Sequence, residues 1–175
     1  MNLTIFLRWL PILSGALGFT MAAPVKLIID TDYDSDVDDV AAVSLAHAYV
    51  DAGKAEILGV AVVGLHETCA PAVHCQDAFY GRPEIPVAVR KSGGGPLVGS
   101  SYTRTLIEKF PAAFDRAAAP EPVPFYRKLL AAADDQSIVI VSLGHLSNLA
   151  DLLDSQPDEI SPLAGPDLVR KKVAR

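Results

Sequence analysis

Short apolar runs alternate with longer amphipathic stretches along the chain. The apolar runs predict strands over residues 26–30, 56–63, 85–89 and 137–143. The amphipathic stretches predict helices over residues 37–52, 70–80, 125–133 and 146–153, and segment 92–100 predicts a glycine-rich loop. Four side chains of the first helix should face inward: Val40, Val43, Leu45 and Ala46. This alternation indicates an α/β fold with a mainly parallel sheet flanked by helices.

Two polar segments follow predicted strands at the same edge of this sheet. The acidic stretch DTDYDSDVDD, residues 30–39, follows the first strand, and the Gly144-His145 turn follows the last one. In open parallel sheets, ligands bind beyond the carboxyl ends of the strands. We therefore expect the functional site at this edge.

The acidic stretch holds six carboxylates in ten residues, whereas the net charge of the whole chain is −6. Crowded carboxylates repel one another, which raises their pKa values unless a cation or hydrogen-bond donors balance the charge. Helix capping accounts for one or two of them, because a helix N-terminus favours anions. A hard divalent ion is the usual partner of the rest, and calcium tolerates the irregular geometry of a strand-to-helix turn.

Two known acidic motifs fit this stretch poorly. An EF-hand loop that began at Asp30 would have Ser35 at its glycine position and Ala41 in place of its bidentate glutamate. A haloacid dehalogenase-type phosphatase also has Asp-x-Asp after its first strand, but it continues to Thr or Val where this chain has Asp34. Neither motif explains the six carboxylates.

The segment DTDYDSDVDDVAAV, residues 30–43, resembles the opening of the inosine-uridine preferring nucleoside hydrolase family, in its nucleoside hydrolase-like branch. Further similar segments are residues 59–60, 80–87, 141–150 and 161–165. The acidic motif together with Gly-x-Leu-Ser-Asn-Leu-Ala at residues 144–150 is a fairly specific combination. Because members of the family continue through further strands, the resemblance implies that residues 24–175 form the N-terminal portion of a nucleoside hydrolase-like domain, truncated relative to that family.

The resemblance implies calcium-dependent hydrolysis of the N-glycosidic bond of a ribonucleoside, which gives ribose and a free base. By resemblance, Asp32 is both a metal ligand and the general base that takes a proton from the attacking water. Asp39 and the main-chain carbonyl of Leu143 are further metal ligands, and Asp38 binds a ribose hydroxyl. Asp30 is expected to position the loop, and Asp34 to be a solvated carboxylate of the turn.

The sequence departs from the family pattern at several positions. Asp34 stands where the family has glycine, and Asp36-Val37 lengthens the turn. His66 stands where the family usually has an asparagine that contacts ribose. The last aspartate ligand of the family has no counterpart up to residue 175. A second function therefore stays open, an exported calcium-binding or interaction domain that keeps the fold without catalysis.

Residues 1–23 have the layout of a secretory signal peptide, with Arg8 before an apolar stretch and small residues up to Ala23. A membrane anchor fits less well, because Pro11 and Gly15 interrupt a stretch that is already short for a span. We expect a secreted or periplasmic protein with no stable membrane insertion after cleavage.

The acidic balance of the chain, with a pI near 5.1, argues against a nucleic acid polymer as partner. The expected partner is a small-molecule ribonucleoside, and the sequence is compatible with a homo-oligomer. Export would allow a disulfide between Cys69 and Cys75. With His66 and His74 these cysteines match no standard zinc spacing, and a mixed surface loop is expected there.

Overall fold

The computed structural model describes residues 22–174, so the predicted signal peptide lies outside the described residues except for Ala22 and Ala23. Within this range the chain forms one all-parallel sheet in the order β3-β2-β1-β4. Its strands are β1 (Val25–Thr31), β2 (Ala55–Val62), β3 (Val87–Val89) and β4 (Ile138–Ser142). The helices are α1 (Asp38–Asp51), α2 (Cys69–Phe79), α3 (Ser101–Lys109), α4 (Pro122–Ala132), α5 (Ser147–Asp154) and α6 (Gly165–Lys172).

Helices cover both faces of the sheet, which explains why its strands are apolar on both sides. Ile29 and Val60 point toward α1, α2 and α3, where they pack against Val43 and Val73. On the other face, Ile28 packs with side chains of α4, α5 and α6, among them Phe125, Leu130, Leu152 and Leu168. The predicted α/β architecture with a parallel sheet is confirmed.

Several local predictions need correction. Leu45 is 56% exposed instead of buried, because the outer side of β4 beside α1 carries no further element among residues 22–174. Leu45 therefore lines an open apolar groove of about 440 Å³ with Leu27 and Val141. Helices α3 and α6 were not predicted, since polar sequence dominates both.

The cysteines do not lie in a surface loop, contrary to the prediction. Cys69 and Cys75 are both buried on α2 and both are free. Six residues along an α-helix rise about 9 Å and leave the two side chains about 120° apart around the axis, so these two thiols point in different directions. The expected mixed surface loop is therefore wrong, and these thiols form no disulfide with each other.

No helix in the stretch from Ala22 to Ala174 combines the length and the apolar character that a membrane crossing requires.

Candidate functional site

Parallel pairing brings the carboxyl ends of β1, β2 and β4 to one edge of the sheet. The loop after β1 is held there between two glycines that follow the neighbouring strands. A Cβ atom on Gly144 would lie 2.5 Å from the backbone nitrogen of Asp32, and one on Gly64 would collide with the carbonyl oxygen of Asp32. Only glycine permits this close approach, and it fixes the backbone of Asp32 between β2 and β4.

Tyr33 turns the backbone immediately after Asp32. Its φ of 50° lies in the left-handed region, which is unfavourable for a bulky residue and persists only when the surroundings enforce it. The fully buried Tyr33 hydroxyl donates to Gln76 of α2, and the Gln76 amide donates to the carbonyl of Val40 (3.0 Å) and the hydroxyl of Ser44 (2.8 Å). The acidic loop is thereby tied to α1 and α2.

Asp30, the last but one residue of β1, lies under the acidic loop and has no exposed surface. One of its oxygens accepts hydrogen bonds from the Tyr126 hydroxyl (2.5 Å) and the Asn148 amide (2.9 Å). Burial nevertheless raises the pKa of Asp30 to about 6, against the lowering effect of these two donors. Arg90 extends the network, because it donates to Asn148 (3.2 Å) and to Asp151 (2.7 Å). This is the buried, loop-supporting place that the sequence predicts for Asp30.

Asp32 and Asp39, both predicted metal ligands, lie close together at the start of α1. Their carboxyl groups are close enough to share a proton, and the Thr31 hydroxyl donates to Asp39 over 2.5 Å. Burial, together with the charge of Asp32, raises the pKa of Asp39 to about 6. Burial also raises the pKa of Asp32, and the nearby charge of Asp34 adds to this effect. The pair is therefore poised to exchange protons or to share a cation.

A second group of carboxylates overlaps this pair. The side chains of Asp36, Asp38 and Asp39 bring oxygens within 4.8 Å of one another, and those of Asp36 and Asp38 are exposed. A hydrogen bond between Asp36 and Asp38 raises the pKa of Asp36 and lowers that of Asp38. Asp32 lies outside this group of three but adjoins it through Asp39. Asp36 is thus a candidate ligand that the predicted set of Asp32, Asp39 and Leu143 did not include.

Leu143 follows β4 directly and precedes the Gly144 turn. Its backbone N–H donates to the carbonyl of Asp30 over 2.8 Å, which places the end of β4 beside the start of the acidic loop. The predicted backbone ligand therefore lies next to Asp32 through the Gly144 contact, while its role as a ligand stays a prediction.

Asp34 differs most from expectation. It is only 3% exposed, and neither of its carboxylate oxygens has a hydrogen-bond partner. The backbone of Val98 lies close enough to lower the pKa somewhat, but its geometry falls short of a hydrogen bond; burial dominates and raises the pKa of Asp34. The predicted solvated carboxylate is wrong. The only signal in the sequence was an acid where the family has glycine.

Two histidines border the acidic loop. The Nδ1 atom of His66 accepts from the backbone N–H of Thr68 (3.3 Å) and lies 2.9 Å from the Thr68 hydroxyl. Because Nδ1 is an acceptor, a neutral His66 carries its proton on Nε2. His145 is exposed, and its charge lowers the pKa values of Asp32 and Asp34. The edge therefore offers donors as well as acids.

The described residues at this edge fit a divalent cation. Three buried carboxylate oxygens, one of Asp30 and both of Asp34, have no hydrogen-bond partner. Unpaired buried charge is costly unless a cation or donors balance it. The donor set consists of carboxylate and carbonyl oxygens, which suits a hard ion such as calcium. By contrast, the apolar groove beside α1 has no acidic lining residue.

The fold is similar to that of one known class of proteins, the nucleoside hydrolases. No family model matches the sequence, and no curated protein matches it. Among solved structures, the chain is similar to a plant nucleoside hydrolase, the PpNRh1 enzyme, with a TM-score of 0.62 and 22% identity. The likeness covers 86% of this chain and 46% of that one, so the chain spans somewhat less than half of that structure. The nucleoside hydrolase-like fold is thus confirmed.

Proposed function

We propose that this chain is the N-terminal portion of a ribonucleoside hydrolase of the inosine-uridine preferring nucleoside hydrolase family and that this portion carries the acidic site. The reaction is hydrolysis of the N-glycosidic bond, with ribose and a free base as products. The observation that carries the proposal is the contact between the Asp32 and Asp39 carboxyl groups at the carboxyl edge of a nucleoside hydrolase-like sheet. We propose calcium as the cofactor.

In this proposal, the ion is held by the carboxylates of Asp32 and Asp39 and the carbonyl of Leu143. Bound calcium would acidify a water molecule and offer coordination to the ribose 2′- and 3′-hydroxyls. Asp32 accepts the proton of the attacking water as general base. The exposed Asp38 accepts a hydrogen bond from a ribose hydroxyl.

Negative charge beside the sugar supports the same reaction. Cleavage of the glycosidic bond passes through an oxocarbenium-like transition state, and carboxylates nearby stabilise its positive charge more than they stabilise the neutral substrate. Asp30 holds the loop from below through Tyr126 and Asn148, so that the acids keep their positions while the charge develops.

We further propose that residues 1–23 direct export, which places the protein in the periplasm or outside the cell. A second candidate function is an exported calcium-binding domain without catalysis. We retain this second candidate because the chain spans 46% of the solved nucleoside hydrolase.

Ribose release tests the two functions against each other. The protein is incubated with inosine and with uridine, in calcium and in excess EDTA, and reducing sugar is measured. We expect release that EDTA abolishes and that Asp32→Asn lowers by about 100-fold or more, the usual contribution of a general base. Asp134→Asn, which removes an exposed acid beyond α4, is the matched control and should leave the rate unchanged. Saturable calcium binding without ribose release would favour the non-catalytic domain, and equal rates for Asp32→Asn and the control would refute the assignment of the base.

A further inference from the structure

Gln76 of α2 lies at the centre of a buried polar contact between the acidic loop and α1. Its side chain is 6% exposed and joins three groups, the Tyr33 hydroxyl, the Val40 carbonyl and the Ser44 hydroxyl. The Val40 carbonyl can only accept a hydrogen bond, so the amide nitrogen of Gln76 faces α1 and its amide oxygen faces Tyr33. The orientation of the Gln76 amide is therefore fixed.

This amide connects the residues that follow two of the predicted ligands. Its oxygen accepts from Tyr33, which directly follows Asp32. Its nitrogen donates over 3.0 Å to Val40, which directly follows Asp39. One side chain therefore spans the turn and sets how far apart its two ends lie.

Tyr33 has an unfavourable backbone conformation that depends on such a contact. A φ of 50° persists in a bulky residue only where the surroundings enforce it. The Tyr33 ring is fully buried beside Tyr102, with 6.1 Å between the ring centroids. A buried hydroxyl without an acceptor is unfavourable, so the Gln76 oxygen favours the buried ring and, with it, the left-handed turn.

A second buried contact fixes the helix that carries Gln76. The next residue of α2, Asp77, lies 2.9 Å from Nε2 of His47 on α1, and neither side chain has exposed surface. The Tyr80 ring stacks on the His47 ring with 4.4 Å between the centroids. Because α2 is held to α1 at the adjacent residue, Gln76 offers the Tyr33 hydroxyl an acceptor at a fixed place.

We propose that Gln76 is a positioning residue of the acidic site. It holds the left-handed turn at Tyr33, and this turn sets the place of Asp32 relative to Asp39. On the other side of Asp32, the Thr31 hydroxyl donates to Asp39 over 2.5 Å, so both neighbours of Asp32 are anchored. The inference rests on the proposed cation site and adds to it a residue of α2 that contacts neither the ion nor the nucleoside.

Calcium titration of matched variants tests this proposal. Gln76→Met keeps the length of the side chain and removes its hydrogen bonds, whereas Tyr33→Phe removes only the hydroxyl and serves as the second variant if the first does not fold. Gln156→Met, at an exposed position, is the control for the substitution. Leu168→Val, which reduces the core on the other face of the sheet, is the control for lost stability.

Calorimetry is carried out at a temperature at which circular dichroism shows every variant to be folded. Gln76→Met and Tyr33→Phe should each lower calcium affinity by about tenfold, because loss of residues that orient metal ligands commonly costs 10- to 100-fold. Both controls should bind calcium as the unaltered protein does, although Leu168→Val should melt at a lower temperature. The double variant Gln76→Met/Tyr33→Phe should bind no more weakly than Gln76→Met, since both changes break one contact.

Crystal structures of the metal-free proteins give a readout that does not require calcium. The unaltered protein should show Tyr33 with a φ near 50°. Gln76→Met should show a changed φ at Tyr33 and an Asp32 carboxylate displaced relative to Asp39, and Tyr33→Phe replaces it if needed.

Three results would overturn the proposal. A lower melting temperature with unchanged calcium affinity in both variants would assign a purely structural role to Gln76 and leave the cation site intact. An equal loss of affinity in Leu168→Val would show that lost stability alone explains the effect. If the unaltered protein binds no calcium, the proposed cofactor is wrong and the crystal structures decide: an unmoved Asp32 overturns the positioning role, and a displaced Asp32 supports it.

Discussion

Replacement of Tyr126 by phenylalanine removes one hydroxyl group from the buried support of the acidic loop. Tyr126 has no exposed surface, and its hydroxyl donates to Asp30 over 2.5 Å. The substitution keeps the ring and its packing against Phe125. It leaves the Asp30 carboxylate with the Asn148 amide as its remaining described donor.

The cost of this change should depend on pH. The pKa of Asp30 is raised from 3.8 to about 6 in the folded protein, so the group is mainly ionised at pH 8 and mainly protonated at pH 5. Hydrogen bonds to charged groups contribute about 1.5–3 kcal/mol, and those between neutral groups about 0.5–1.5 kcal/mol. Tyr126→Phe should therefore lower the free energy of unfolding by about 2 kcal/mol at pH 8 and by about 1 kcal/mol at pH 5.

The sign follows from proton linkage. Between pH 3.8 and about 6 the folded state binds more protons at Asp30 than the unfolded state, so the contribution of this group to stability falls as the pH rises through that window. The hydrogen bond from the Tyr126 hydroxyl lowers the pKa of Asp30. Loss of this hydroxyl in Tyr126→Phe therefore raises the pKa of Asp30 further. In the variant, the free energy of unfolding therefore keeps falling up to a higher pH.

Urea denaturation followed by circular dichroism at pH 5 and pH 8, at one fixed calcium concentration, measures these differences. Tyr49→Phe is the matched control, because Tyr49 is 47% exposed, and it should change stability by less than about 0.5 kcal/mol at both pH values. An equal cost at the two pH values, or a larger one at pH 5, would refute the argument that an ionised Asp30 depends on this hydroxyl.

Two further substitutions test the packing and the outer helices. Gly144→Ala should lower the free energy of unfolding by about 1–3 kcal/mol and weaken calcium binding, because the added Cβ would lie 2.5 Å from the backbone nitrogen of Asp32. Denaturation measures the first effect and calorimetry the second. Unchanged values would contradict the close approach of the two backbones. Arg127→Lys should lower stability by about 2 kcal/mol, because the buried guanidinium donates two hydrogen bonds of 2.7 Å to Asp158, which a lysine cannot reproduce. A thermal melt equal to that of the unaltered protein would show that this bidentate contact adds no stability.

The elements that the sequence predicted well are those with a strong local pattern. Strand β4 is a β-branched run, and its predicted range of 137–143 differs from the observed Ile138–Ser142 by one residue at each end. The position of the acidic loop at the carboxyl edge followed from the strand-helix alternation alone. Helix α3 was missed because its nine residues are largely polar and follow a glycine-rich segment. The helix begins after Ser100, whose hydroxyl accepts a hydrogen bond from the backbone N–H of Thr103.

The partners of the acidic residues had no local signal. Tyr126 and Asn148 reach Asp30 across 96 and 118 residues of sequence, and only the packing of α4 and α5 on the sheet brings them there. The closeness of Asp32 to Asp39 needs no distant partner, because the turn between them is short. The burial of Asp34 was not, since identical carboxylates two residues apart, Asp34 and Asp36, differ completely in exposure.

The sequence by itself determined the alternation of the four strands with helices α1, α2, α4 and α5 and the concentration of charge after β1, because apolar periodicity and composition are properties of neighbouring residues. The tertiary structure decided which of those charges lose contact with water. That outcome depends on the glycines that follow the two strands on either side of β1, on the left-handed turn at Tyr33 and on helices distant in sequence. Because of them, some of the six carboxylates are buried or paired and others are exposed.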